Sequence, residues 1–425
     1  MSLSQTLRLG RWLTPLCMAL AIGGTFGSGI SLGGDAETWP RFRGHNGEAR
    51  SDLKGVPSKW SDKDYEWVVE IPGKGHSSPV VWKDKLFVMS GQEDGIRTLY
   101  CFNSFTGERL WSDPLKLDAN HLHLKNSYGS GTPAVDDERV YCSTADESHY
   151  VVSAYTHSGE KVWNVDLGPF TSEHGQGVSP IIHGELLIVS NDQKGPSSLV
   201  ALNRKTGEQV WKTERAFRRA SYATPFVLEQ EGKSPQLICL CGNLGLTGHD
   251  LADGRELWTS GQLPMRTVAS PVHGNGVVLA VCGAGGKGTM LVAVDPNGSG
   301  DVSAKNIKYT LTKGLPYVPT PIVVGDYLFL WNDDGVVRCM EVATGSEVWT
   351  ERVGGKFSGS PVLIDGRLFA ISEDGVVSVI AASNKFELLG QSPLGDPSYA
   401  TPAVANGRVY LRSFSKLACL KAKAE

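Results

Sequence analysis

The sequence predicts an all-β protein: an eight-bladed β-propeller of four-stranded antiparallel blades. Three observations predict it. A Ser/Thr-Pro pair recurs eight times, at Pro79, Pro133, Pro180, Pro225, Pro271, Pro321, Pro361 and Pro402. Each pair opens a short apolar run, and a second apolar run follows within about ten residues. Five copies then close on a turn in which Trp falls four residues after Gly: FTGERLW, HSGEKVW, KTGEQVW, ADGRELW and ATGSEVW. A period of roughly 40–50 residues with four strands per repeat is the signature of a propeller. Alternation by two and Gly/Pro punctuation exclude a helical solenoid.

Each element has a reason. Proline suits the first residue of a strand, where no ladder N–H is needed. The turn Gly supplies positive φ, and the Thr, Ser or Asp before it can bond the turn backbone. Trp111, Trp163, Trp211, Trp258 and Trp349 are expected to fill the wedge between adjacent blades. The fifth copy replaces the tight turn with a longer segment and puts Tyr309 near the Trp position. The seventh copy lacks Gly and Trp, and Leu389 is assigned to the slot. The eighth copy ends without a fourth strand. The missing strand stands at the other end, in DYEWVVEIPG, with Trp67 in the Trp slot. Residues about 65–71 therefore complete the last blade, and the N-terminus closes the ring. Residues 117–125 are expected to form a short helix.

Residues 1–36 are read as a signal peptide, with residues 37–425 forming the propeller. Arg8 and Arg11 precede an apolar run from Trp12 to Ile22, and small residues lead to Ala36. The run is short for a bilayer span. Cys17 lacks the small residues that a lipoprotein signal places before its cysteine. The expected location is periplasmic or secreted, with no transmembrane segment after cleavage. A net charge of −4 without a basic run argues against nucleic acid. The other seven cysteines stand in apolar strand-like runs and are expected to be buried free thiols.

Stretches such as CFNSFTGERLW, ALNRKTGEQVW and CMEVATGSEVW resemble the tryptophan-docking repeats of the pyrroloquinoline quinone (PQQ)-like, quinoprotein alcohol dehydrogenase-like propeller family. The opening WPRFRGHNG resembles the start of that superfamily. The resemblance covers roughly residues 39–422 and is specific for the propeller. The family includes PQQ- and calcium-dependent dehydrogenases, whose quinone site typically has adjacent cysteines. No Cys-Cys pair occurs here, and the repeats are lean. The chain is most similar to exported BamB-like propellers with no assigned cofactor. The resemblance implies a non-enzymatic scaffold with no cofactor and a protein partner in the cell envelope. The alternative it implies is a PQQ- and calcium-dependent alcohol or sugar dehydrogenase.

Function should sit where the repeats differ, in the segments just before each first strand. These segments converge on one mouth of a propeller channel. Pooled, they offer His76, His123, Tyr128, His174, Arg218, Arg219, Tyr222, Arg266, Tyr317, Lys356 and Tyr399. This cationic and aromatic set suits a protein or peptide segment or an anionic ligand at the mouth or rim. It supplies no catalytic set and no metal-ligand set.

Overall fold

The computed structural model describes residues 36–216 and 220–423. The signal-peptide reading lies outside the described residues but for Ala36. Eight antiparallel sheets follow one another along the chain. Their innermost strands begin at Val80, Ala134, Ile181, Phe226, Val272, Ile322, Val362 and Ala403. We number these sheets blades 1 to 8. The last is completed by Tyr65–Glu70, which pairs antiparallel with Lys416–Lys421. The ring is thus closed by the N-terminal strand, and no blade is left open at the seam.

Burial explains the strand patterns. Middle strands such as Leu186–Asn191 and Arg367–Ile371 are buried beyond their first residue. Each is covered on both faces by neighbouring blades, so its sequence is a continuous apolar run. Outermost strands such as Tyr65–Glu70 alternate between half-buried and exposed residues. Six apolar clusters join the blades in turn. One cluster joins blades 6, 7, 8 and 1, and each remaining neighbouring pair has its own.

The Ser/Thr of each Ser/Thr-Pro pair has a role in this ring. The backbone N–H of Ser78 donates to Thr132 Oγ1 at 2.9 Å, and that of Thr132 donates to Ser179 Oγ at 3.0 Å. The same bond links Thr224 to Ser270, Ser270 to Thr320, Thr320 to Ser360, Ser360 to Thr401, and Thr401 back to Ser78. Seven of the eight hydroxyls, all but that of Thr224, thus satisfy a buried N–H of the preceding blade. Thr320→Val should therefore leave the Ser270 N–H unpartnered and cost about 1–3 kcal/mol, whereas Thr320→Ser should be near neutral. Urea midpoints of the two variants check this.

The plan departs from four strands per blade in three places. Thr38–Trp39 adds to the inner edge of blade 1, and Arg50–Ser51 adds in parallel to blade 7. Gly300–Asp301 adds in parallel to the outer edge of blade 4. The segment between the first two additions plugs the channel. Arg41 donates to Pro225 O at 2.7 Å, and Arg43 donates to the carbonyls of Thr320, Pro321 and Pro361. Asn46 exchanges two bonds with the Val227 backbone. Buried carbonyls at strand starts have no ladder partner, and the plug arginines supply the donors.

Two other expectations are corrected. Residues 117–125 contain no helix: they form a loop that turns at Leu124–Lys125. In blade 7 the residue in register with the Trp position is Gly390, opposite Val379, not Leu389. A Cβ there would lie 2.2 Å from Ser58 O, because residues 58–60 cross the blade at that point. Trp60 is buried there. Its backbone N–H donates to Ser392 Oγ and its indole to the Tyr65 hydroxyl. The tryptophan missing from the repeat is supplied from the N-terminal segment. All seven described cysteines are buried and free. Among the described residues, no helix is long and apolar enough to cross a membrane.

Candidate functional site

In an antiparallel blade, the loop before the first strand and the turn between the second and third strands lie at the same end. Both kinds of segment line a cup of about 510 Å³ at one mouth of the channel. Phe42 of the plug and the inter-blade Ser/Thr residues lie at its base. The loops contribute His76, His123, His174, Tyr222, Arg266, Tyr317, Lys356 and Tyr399. The turns contribute Lys287, Asp333 and Asp334. Arg218 and Arg219 lie outside the described residues.

Tyr128 does not line the cup. Its hydroxyl donates to Asn120 O at 2.7 Å and accepts from Asn120 N. Its ring lies under the Arg97 guanidinium at 4.1 Å, so its role is to fold the 117–127 loop. The sequence reading missed Phe42, Lys125, Lys287, Asp333 and Asp334. Phe42 is the channel-closing residue of WPRFRGHNG. Lys125 stands in the 117–125 segment, for which the sequence predicts a helix. The last three sit on hairpin turns, and applying strand alternation to those turns would have placed them at the same mouth.

The wall divides into two sectors. Between blades 2 and 5, the His123 and His174 rings stack at 4.7 Å with 8° between planes. Arg266 Nη1 lies 3.0 Å from His174 Nε2, and its Nη2 pairs with Glu173, which also binds Lys194. Burial, then Arg266 and His123, hold His174 below the ordinary histidine range. Tyr222 bonds Ser172 at 2.9 Å.

Near blades 8 and 1, His76 packs between Tyr399 at 4.7 Å and Phe414 at 5.1 Å. Burial above all, with Lys74 and Arg412 adding, pushes its pKa down to about 3, so the imidazole is neutral at physiological pH. Residues 121–127 span the mouth between these sectors. Asn126 donates to the His174 and Gln176 carbonyls, and Lys125 pairs with Glu373 of blade 7 at 2.5 Å.

Asp333 is the buried carboxylate of the cup. It accepts from Tyr317 N at 2.6 Å and from Val318 N at 3.3 Å. Burial outweighs these bonds and pushes its pKa up to about 6 from 3.8. A folded-state pKa above the unfolded value contributes stability at low pH that is lost as pH rises through about 6. Asp333→Asn keeps an acceptor for Tyr317 N and removes the charge. Its melting temperature should exceed that of the native chain at about pH 8, and the difference should vanish at about pH 4.

The model of one protein family, described as outer membrane protein assembly factor BamB, matches residues 58–227, 148–302 and 287–423. The chain belongs to that family. BamB of Yersinia pestis is 24% identical over 284 residues, covering 60% of this chain and 65% of that protein. A polyvinylalcohol dehydrogenase of a Pseudomonas species is 26% identical over 209 residues, covering 45% of this chain and 29% of that protein. The chain thus spans less than two thirds of the length of either relative. The solved BamB of Moraxella catarrhalis has a TM-score of 0.59 at 16% identity, covering 84% of this chain and 97% of that one. At that identity the likeness shows the fold alone; the family match is what makes this chain a PQQ-like propeller.

Proposed function

We propose that this chain is a non-enzymatic scaffold of the cell envelope, exported by its first 36 residues, that receives a protein or peptide segment or an anionic ligand at the cup mouth or rim. The cup itself carries this reading. Its lining is cationic and aromatic, with Asp333 and Asp334 as its carboxylates. Cations and ring faces recognise anionic, extended ligands. The membership in the BamB family supports an envelope setting.

The test is photo-crosslinking in intact cells from Leu124, which is 91% exposed on the loop across the mouth, and from Met265 on its rim. One reproducible envelope partner should crosslink from these positions and not from His183 on the opposite mouth. Crosslinks that are equal from both mouths, or that never recur, would sink the reading.

The alternative, a PQQ- and calcium-dependent dehydrogenase, is favoured by the alignment with polyvinylalcohol dehydrogenase. Calcium takes six to eight oxygen ligands. Among the described residues, no group of three or more His, Cys, Asp or Glu converges to hold a metal. Asp333 is already engaged by two backbone N–H groups. The residues present do not fit the ion. Purified protein mixed with PQQ and Ca²⁺ should lose the quinone absorbance on desalting and reduce no dye. Calcium-dependent retention with dye reduction would overturn the scaffold reading.

A further inference from the structure

The opposite mouth of the channel holds a second cavity, of about 390 Å³. The first strands of blades 2, 3 and 4 end there, and Val135, Ile182 and Val227 give it apolar walls. The plug segment lines its other side, through Arg41 and Glu48. The charges of this cavity are ordered by depth. Arg41 is 5% exposed, and its Nε is buried without a hydrogen-bond partner. Its Nη2 meets a carbonyl, that of Pro225. Burial pushes Arg41 down to about 9, and no carboxylate acts against that. The guanidinium is therefore charged at neutral pH, and Arg43 beside it adds a second buried cation.

The opening carries the other sign. Glu48 and Glu229 line it, with side chains 45% and 69% exposed. Glu48 is paired with Arg50 at 3.4 Å. Among the described residues, Glu229 has only the His183 imidazole, 3.8 Å away. A buried cation without a counter-charge is costly, and an anionic group that reached Arg41 would offset that cost. A simple anion would first meet the carboxylates. A simple cation would stop at them and leave Arg41 unmatched. A zwitterion satisfies both ends, and an aliphatic body between or beside its charges suits the apolar walls.

We propose that this second cavity binds a free α-amino acid with an aliphatic side chain. Arg41 takes its carboxylate, Glu229 takes its ammonium, and Val135, Ile182 and Val227 receive its side chain. The site is separate from the cup and stands whether or not the cup receives a partner.

L-Leucine is the probe, with two analogues that each lack one charge: 4-methylpentanoate has no ammonium and 3-methylbutylamine has no carboxylate. In calorimetry with the full chain at about pH 7, leucine should bind at least about tenfold more tightly than either analogue. Glu229→Gln should weaken leucine about tenfold and leave 4-methylpentanoate no weaker. Arg41→Met should weaken leucine and 4-methylpentanoate alike, about tenfold or more, and leave 3-methylbutylamine within about threefold. Should that variant fail to fold, Glu229→Gln, on an exposed side chain, decides alone. No leucine binding, an analogue that binds as tightly as leucine, or an equal loss of leucine and 4-methylpentanoate in Glu229→Gln would overturn the proposal. A crosslinked envelope partner without leucine binding would sink this inference and leave the scaffold reading. Leucine binding without a partner would do the reverse.

Discussion

Trp258→Ala should cost about 3–5 kcal/mol, and Trp163→Ala distinctly less, although both residues stand in the same motif. Trp163 is half-buried. It packs on Gly207 of the next blade, where a Cβ would lie 2.8 Å from its ring. Its indole N–H donates to Arg204 O at 3.1 Å. Trp67, Trp111 and Trp211 stand against the corresponding glycines Gly107, Gly159 and Gly254. Trp349 caps the next turn through Ser383 O and Phe386, and Tyr309 lies on Gly345 and donates to Val342 O.

Trp258 differs because blade 5 has no tight turn for it to rest on. It folds back over its own blade, where its indole donates to Gln236 at 2.8 Å. A Cβ on Gly248 would lie 2.1 Å from its Nε1. The strand Gly300–Asp301 covers it, and it is fully buried in the cluster that joins blades 4 and 5. Deleting it leaves a closed cavity, whereas the Trp163 site stays partly open to water. Urea midpoints decide this. Equal losses would mean that the motif, not local burial, sets the cost.

The ring was legible because each blade repeats the same solution. Ser/Thr-Pro, the turn Gly and the Trp four residues later mark strand starts and ends in any copy. The residue paired with each Trp is small for the same reason. Cys101, Ala154, Ala201, Cys339 and Cys419 lie directly opposite the indoles. This explains why several cysteines recur at one place in the repeat. What the repeat cannot show is what comes from outside it. Trp60 fills the blade 7 wedge from more than 300 residues upstream. Arg43 bonds carbonyls of blades 6 and 7 across the channel. Such pairings have no local period. The cup was half legible: its loops differ among copies and attract notice. Its hairpin turns, with Lys287 and Asp333, look like ordinary Gly turns until strand direction is followed around the blade.

Arg215→Met should also cost about 3–5 kcal/mol, and the loss should grow with pH. Arg215 ends the outermost strand of blade 3, facing Cys239 and Cys241 of blade 4. Its Nε lies 3.2 Å from Asp192 Oδ1, and both side chains are almost wholly buried. None of its nitrogens makes an aligned hydrogen bond, so the pair is held by charge. Burial already raises Asp192 above the ordinary carboxylate range, with Arg215 pulling it back. Removing Arg215 leaves only the burial effect, and the Asp192 pKa rises further.

A carboxylate whose folded pKa lies above its unfolded pKa contributes stability at low pH and loses it as pH rises through the folded value. The deficit of Arg215→Met should therefore be small at about pH 4 and largest at about pH 8. Pairing it with Asp192→Leu removes the stranded charge. The double variant should recover most of the stability at about pH 8, because an apolar pair of similar volume replaces an ion pair at little cost. Urea titrations of the three variants at both pH values test this. A deficit that is the same at both, or one that the second substitution does not recover, would show that Arg215 acts through packing of its stem between blades 3 and 4 rather than through its charge.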